Sequence, residues 1–551
     1  MSRPIGRDRV LSLDQCLAPA VPLQTEILGA SLRTRETMNG AESLVSTLAG
    51  AGVDVCFTNP GTSEMHIVSA LDRISEMRCV LGLFEGVVTG AADGYARMTG
   101  KPACTLLHLG PGLANGLANL HNAKRAQVPI VNLVGEHASD HIHHDAPLTS
   151  DIEGTARPYS NWVRTSRSSS EVGQDAIEAI LASRAAPGQI ATLIVPADTA
   201  WAEGGTIAKL PTLPKAPMPA GEAIERAAVM LRSGKKTCLL LAGSCLHSNG
   251  LRAAGQIAAA TNAKLFAPYN FARIERGAGL PLVERVPYIL DQAVERFREC
   301  AQLILVGTPV PVSYFAYPGK NPVPIQPTCE VLTLTKSGED CVGALNALVE
   351  CLSIRGTAPA AEAANRPLIP SGDITLPGLA NVVAAILAEN TIVVDESMTS
   401  GHGMMAATRG AAPHDWLANT GGSIGIAMPL AVGAAIACPD RRVLCLSADG
   451  SGMYTAQALW TMAREGLKVT TVIFANRTYG VLKREYAGLG VGNPGPCTRD
   501  LFEIGRPDLD WVALARGMGV PGTRVASLEL FAKALMDGFE SEGPTLIEVP
   551  L

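Results

Sequence analysis

"SADGSGMYTAQALWTMAREGLKVTTVIFANRTYG", residues 447–480, is the stretch whose reading decides the fold. The apolar run "RVLCLSADG" reads as a strand whose carboxyl end delivers Asp449. "SGMYTAQALWTMAREG" sets Leu459, Met462 and Ala463 on one helical face, and "KVTTVIFAN" reads as the next strand, ending at Asn476. A right-handed β-α-β crossover places two such strand ends side by side at one sheet edge. Ligands of α/β proteins bind at that edge, so Asp449 and Asn476 are expected to converge. A carboxylate, an amide oxygen and a nearby backbone carbonyl make three hard oxygen ligands of the kind Mg²⁺ takes. Gly450 and Ser451 open the helix and would turn N–H groups toward a phosphate. The same residues also suit a plain Asp-Gly turn followed by an Asn turn.

Upstream, the same alternation recurs. "AESLVSTLAGAG" is helical in period, "VDVCFTNPG" is a strand ending in a turn, and "GVVTGAADGYARMTG" is a second helix. "PACTLLHLGPG" and "PIVNLVGEH" read as buried strands, as do "KKTCLLLAGS", "AKLFAPYN" and "CAQLILVGTPV" further on. Short apolar runs alternating with helices predict parallel sheets covered on both faces. Two Pro-rich stretches, 208–221 and 355–372, read as linkers. The fold class is therefore α/β, with three doubly wound parallel-sheet domains at 38–205, 222–352 and 375–551. Residues 1–37 lack periodicity and are expected to form a disordered extension.

At 551 residues, 47% hydrophobic and 17% charged, the chain has the composition of a compact multidomain protein. Its net charge of −6 and the lack of a long basic run make nucleic acid an unexpected partner. No run approaches the ~20 apolar residues of a membrane span, and no apolar signal segment follows the N-terminus. The thirteen cysteines are scattered, mostly in apolar runs and never as CxxC. A reducing cytoplasm is the expected compartment.

The opening stretch resembles the thiamine-diphosphate motif, a G-D-G followed after a fixed gap by N-N and then Y-G. The resemblance implies that Asp449, Asn476 and the carbonyl of Thr478 bind Mg²⁺, which holds the cofactor's diphosphate. Ala448 and Ala475 depart from the pattern at positions that bind no metal. A second feature is "CVLGLFEGVVTGAADGYARMTGKPA", in which Glu85 enters a helix among Leu83, Phe84, Val87 and Val88. Its family counterpart hydrogen-bonds N1′ of the aminopyrimidine and favours the imino tautomer that removes the C2 proton. In "NTGGSIGIAMPLAVGAA", Ile424 matches the aliphatic residue that bends the cofactor, and Gly422 the carbonyl offered to its exocyclic amine.

The resemblance covers residues 38–551, with benzoylformate decarboxylases nearest in local wording and acetolactate synthases sharing the layout. The segments that carry it are "NPGTSE", "LLHLGPGLANGLANLHNA", "VGTPVPVSYFAYPG" and "VDESMTS". It implies pyrimidine-binding, central Rossmann-like and diphosphate-binding domains in that order. Thr62 and His108 would sit above the thiazolium, the hydroxyl orienting a substrate carboxylate and the His relaying a proton. Phe315 stands where the decarboxylases have a second His, which favours carboligation. The implied activity is a thiamine-diphosphate- and Mg-dependent decarboxylase or carboligase acting on a 2-keto acid through a C2 ylid and an enamine. An acetolactate synthase-like condensation of two 2-keto acids is the alternative, and a non-catalytic cofactor-binding protein the alternative of another class. Relatives place the cofactor between subunits, which implies a homodimer or homotetramer. Some also bind FAD in the central domain, and residues 222–350 carry no feature for or against it. The loop "EHASDHIHHDAP" holds His137, His141, His143 and His144, which suit either a metal site or a solvated surface.

Overall fold

Apolar runs that cannot face water on either side become inner strands of parallel sheets, and the chain builds three of these. The computed structural model describes residues 37–551, and the extension expected at 1–37 lies outside them except for Thr37. The first sheet has six parallel strands in the order Arg78–Leu81, Val55–Asn59, Ala103–Leu107, Ile130–Glu136, Ile190–Pro196, Trp162–Thr165. Ile130–Glu136 and Ile190–Pro196 are buried along their whole length. The second sheet, of five parallel strands, centres on Thr237–Leu241 between Lys264–Ala267 and Gln302–Val306.

The third sheet runs Gly522–Arg524, Thr545–Pro550, Val469–Ala475, Val443–Ala448, Ile392–Glu396, His414–Ala418, Arg273–Arg276. Its last strand departs from the expected pattern. Arg273–Arg276 comes from the stretch expected to build the central unit, yet it pairs antiparallel with His414–Ala418. An ion pair and a hydrogen bond hold it there: Arg273 Nε reaches Asp415 Oδ1 at 2.6 Å, and Arg276 Nη1 donates to Thr408 Oγ1 at 2.6 Å. The helix expected over 451–466 also differs, forming a short turn at Asp449–Gly452 and a separate helix at Ala458–Glu465. Thr455 Oγ1, between them, donates to the Gly425 carbonyl at 2.7 Å and draws the chain toward a neighbouring loop. Leu459 and Met462 are buried as expected.

Helix Glu85–Thr99 crosses helix Ala427–Ala437 at backbone distance. A Cβ on Gly433 would lie 1.9 Å from the Ala91 carbonyl oxygen, and one on Gly94 would lie 2.1 Å from that of Leu430. Each helix therefore has a glycine where the other's backbone enters. Beside the crossing, Asp93 and Arg97 form a fully buried pair at 2.6 Å. A buried pair holds only if its remaining donors are satisfied. Arg97 meets that condition by donating to the Ala418 and Ala272 carbonyls and to Thr420 Oγ1.

His414 lies within the pairing of Arg273–Arg276 with its neighbour, with Nδ1 2.7 Å from the Ala412 carbonyl and Nε2 3.3 Å from Arg276 Nη1. Burial, with Arg276 adding to it, pushes its pKa down to about 3. The unfolded chain therefore takes up a proton below about pH 6.5 that the folded chain refuses until about pH 3. The sign follows: His414 costs nothing above pH 6.5, and stability is lost as pH falls toward 3. Between pH 7 and 5 the wild type should lose about 2 kcal/mol more than His414→Gln. Denaturant unfolding at the two pH values measures this, and equal losses would contradict the assignment.

Candidate active site

The strand ends converge as the crossover requires. Val443–Ala448 and Val469–Ala475 are parallel neighbours, with Ala448 opposite Phe474, so Asp449 and Asn476 leave the sheet side by side. Asp449 joins the two ends directly, because its Oδ2 accepts the Arg477 N–H at 2.7 Å and its Oδ1 the Gly450 N–H at 2.8 Å. Burial raises its carboxyl above the ordinary carboxylate value, against the pull of those N–H groups. Asn476 Oδ1 accepts the Thr478 N–H at 3.1 Å, and its Nδ2 lies 3.4 Å from Ser400 Oγ. The Thr478 carbonyl accepts from Gly480 N at 2.9 Å. One carboxylate, one amide oxygen and one backbone carbonyl thus share a sheet edge, a hard-oxygen donor set that fits Mg²⁺. Gly450 and Ser451 are buried in the short turn that opens there, with the Gly450 N–H already committed to Asp449.

The carboxyl edge of the first sheet gathers the other set. Three adjacent strands, Arg78–Leu81, Val55–Asn59 and Ala103–Leu107, lead to Glu85, to the turn Thr62–Glu64 and to His108. Glu85 is buried at the start of its helix, but not among apolar groups alone. Asn59 Nδ2 donates to its Oε1 at 3.1 Å and Asn115 Nδ2 to its Oε2 at 2.9 Å. His108 is not an isolated histidine either: its Nδ1 lies 2.9 and 3.1 Å from the two carboxylate oxygens of Glu64. Glu64 is fully buried and also accepts from Gly61 N at 2.7 Å and Ser63 Oγ at 2.6 Å. This arrangement fixes a proton on Nδ1 and leaves Nε2 free. Gly61 is required for it, since a Cβ there would fall 2.2 Å from the imidazole. Thr62 is exposed on the same turn, and the hydroxyl nearest the imidazole belongs to Ser63, at 3.3 Å.

Gly422 and Ile424 lie on the loop between strand His414–Ala418 and helix Ala427–Ala437. The first unit grips this loop: Asn122 Nδ2 donates to the Ser423 carbonyl at 2.8 Å and Asn122 Oδ1 accepts the Ser423 N–H at 3.2 Å. Tyr314 stands 3.4 Å from the Cβ position of Gly422, so the segment carrying Phe315 borders the same loop.

Three of the eight described non-glycine residues with left-handed backbone lie here: Leu109 after His108, Arg477 between Asn476 and Thr478, and Met398 two residues beyond strand Ile392–Glu396. Strain of this kind concentrates at functional sites. Glu64, Ser63, Asn59 and Asn115 escaped the sequence reading, although "NPGTSE" contains three of them. The histidine loop forms no metal centre. His141, His143 and His144 are exposed, and among the described residues no group of three or more His, Cys, Asp or Glu can hold a metal ion.

Residues 38–154 match the thiamine pyrophosphate enzyme N-terminal TPP binding domain, and residues 399–549 match the C-terminal TPP binding domain. IlvX of Mycobacterium tuberculosis, provisionally named an acetolactate synthase large subunit, is 50% identical over 513 residues, covering 93% of this chain and 99% of that protein. Benzoylformate decarboxylase of Pseudomonas aeruginosa is 28% identical over 518 residues, covering 91% and 96%. The solved thiamine diphosphate-dependent 4-hydroxybenzoylformate decarboxylase of Rhodococcus jostii RHA1 shares the fold at a TM-score of 0.82 and 24% identity, over 93% of this chain and 99% of that one. With both cofactor-binding domains matched and identity at that level across nearly the whole length, the chain belongs to the thiamine-diphosphate-dependent decarboxylases and carboligases.

Proposed function

We propose that the protein is Mg²⁺-dependent, splits a 2-keto acid and passes the acyl fragment to a second carbonyl compound. The observation that carries this reading is that the chain furnishes two sheet edges with complementary groups. One presents the buried Glu85 carboxylate and the His108–Glu64 pair, the other the oxygen set of Asp449, Asn476 and Thr478. When bound, thiamine diphosphate supplies the electron sink for breaking a carbon–carbon bond next to a carbonyl.

Asp449, Asn476 and the Thr478 carbonyl would hold the metal, and the turn at Gly450 and Ser451 would take the diphosphate. Gly422 and Ile424 would hold the ring end, and Glu85 would hydrogen-bond the pyrimidine. His108, with Nδ1 anchored on Glu64, takes up and returns a proton at Nε2. The Thr62 hydroxyl orients the substrate carboxylate. Phe315 brings no proton to its side of the site, which supports carboligation over simple aldehyde release. The name of the IlvX relative points the same way, toward condensation of two 2-keto acids.

Because enzymes of this family place the cofactor between subunits, a homodimer or homotetramer with sites between subunits is part of the proposal. The same holds for domain limits at 38–205, 222–352 and 375–551. FAD is not part of the proposal, since the two matched domains are described as binding thiamine pyrophosphate alone. Every described cysteine is a free thiol, which supports a cytoplasmic location, and no helix among the described residues is long and apolar enough to cross a membrane.

Supplying thiamine diphosphate, Mg²⁺ and a panel of 2-keto acids, with CO₂ and condensation products followed together, tests the reading. Glu85→Ala should cut turnover by about 10²–10⁴-fold while leaving cofactor affinity largely intact. Undiminished turnover would sink the assignment. The isosteric Glu64→Gln keeps an acceptor for His108 Nδ1 but removes the carboxylate charge behind the ring, without touching the cofactor residues. Its kcat should fall by roughly tenfold or more and its pH profile should move, whereas an unchanged kcat and profile would remove His108 from the mechanism.

A further inference from the structure

Strand Ile392–Glu396 ends in a carboxylate that the proposed mechanism does not use. Glu396 is buried, and its oxygens accept the backbone N–H groups of Gly425 at 3.1 and 3.2 Å, of Ile426 at 3.1 Å and of Ala427 at 3.2 Å. A fourth donor, Asn419 Nδ2, reaches Oε1 at 2.9 Å. Burial pushes the carboxyl up to about 7, against the pull of all four donors.

Helix Ala427–Ala437 begins without a capping side chain of its own, since Ile426 stands at its N-cap. A local Ser, Thr or Asp would satisfy one or two of its free N–H groups. Here a carboxylate from the adjacent strand gathers three in a row, where the helix dipole also favours negative charge. The arrangement therefore does more than cap a helix, because Asn419 extends it into the loop. Asn419 Oδ1 accepts the Gly422 N–H at 2.8 Å, and its Nδ2 also donates to the Ser423 carbonyl at 2.8 Å. Gly422 is thus held by its own N–H, and Ile424 sits between Ser423 and Gly425, both fixed.

We infer that Glu396 is a positioning residue whose carboxylate, directly and through Asn419, sets Gly422 and Ile424 in place before thiamine diphosphate arrives. The inference rests on the proposed roles of Gly422 and Ile424. It adds that their placement is built in rather than induced by the cofactor, and assigns it to one buried side chain.

Glu396→Gln tests it with minimal change of shape, because its new NH₂ group must face N–H donors. Amide hydrogen exchange of segment 419–427 in the cofactor-free protein should quicken at least about tenfold, while strands of the first sheet keep their protection. Calorimetric titration with thiamine diphosphate and Mg²⁺ should show affinity weakened by about tenfold or more, with KM for the 2-keto acid unchanged in the loaded enzyme. Asn419→Ala severs the link to Gly422 and Ser423 while leaving the helix N–H groups on Glu396. It should lose affinity in the same way, and it decides the matter if Glu396→Gln does not fold. Unchanged exchange, or faster exchange at unchanged affinity, would overturn the inference. A wild type that binds no thiamine diphosphate in the presence of Mg²⁺ would overturn the functional reading instead.

Discussion

The crossing of helices Glu85–Thr99 and Ala427–Ala437, backbone against backbone at Gly94 and Gly433, is the contact on which the rest depends. One helix begins at Glu85. The other begins three residues beyond Ile424, on the carboxylate of Glu396. Locking the two helices together fixes both starting points relative to one body. The buried Asp93–Arg97 pair carries the same constraint onward, because Arg97 reaches the Ala418 carbonyl and Thr420, where the Gly422 loop departs. Asn119 and Asn122 complete the tie: Asn119 Nδ2 donates to the Gly86 carbonyl at 2.7 Å, and Asn122 donates to Asn119 and to Ser423. An unbroken run of side-chain amides therefore links the first turn after Glu85 to the loop that carries Ile424.

Among the buried acids at or just beyond strand ends, four surround the candidate site: Glu64, Glu85, Glu396 and Asp449. Burying a carboxylate is costly unless donors replace its water. Each of the four has a different set. Glu85 has two side-chain amides, Glu396 three backbone N–H groups and an amide, and Asp449 two backbone N–H groups. Glu64 has a backbone N–H, a hydroxyl and an imidazole. Neutral donors dominate, and none of the described arginines pairs with these carboxylates. That leaves Glu85 and Asp449 free of an ion pair among the described residues, as their proposed roles beside a ring nitrogen and a metal ion require.

Much of this was legible in the sequence, and the limits have physical causes. The strands around Asp449 and Asn476 could be read because their apolar runs are long and their ends carry polar residues. Glu85 stood out as an acid entering a helix. Glu64 did not, because an acid two residues after a Thr in a turn looks like an ordinary helix start; its meaning depends on His108, which only sheet pairing brings close. The amides on Glu85 are a tertiary feature for the same reason. Glu396 sits in the quoted "VDESMTS", yet its donors belong to a loop about thirty residues on. Strand Arg273–Arg276 defeats periodicity because its place is set by Asp415, Thr408 and Trp416 rather than by its own apolar content.

The central claim is that Glu85 starts the chemistry on thiamine diphosphate held by the Asp449 edge, and it can be tested without knowing the substrate. The rate at which the C2 proton of bound thiamine diphosphate exchanges with deuterium, followed by proton NMR after acid quench with Mg²⁺ present, is the most direct measurement. The account predicts exchange far faster on the wild-type protein than in free solution, and loss of that acceleration in Glu85→Ala at equal cofactor occupancy. Exchange on the wild type no faster than in free cofactor, or acceleration that survives the substitution, would contradict it.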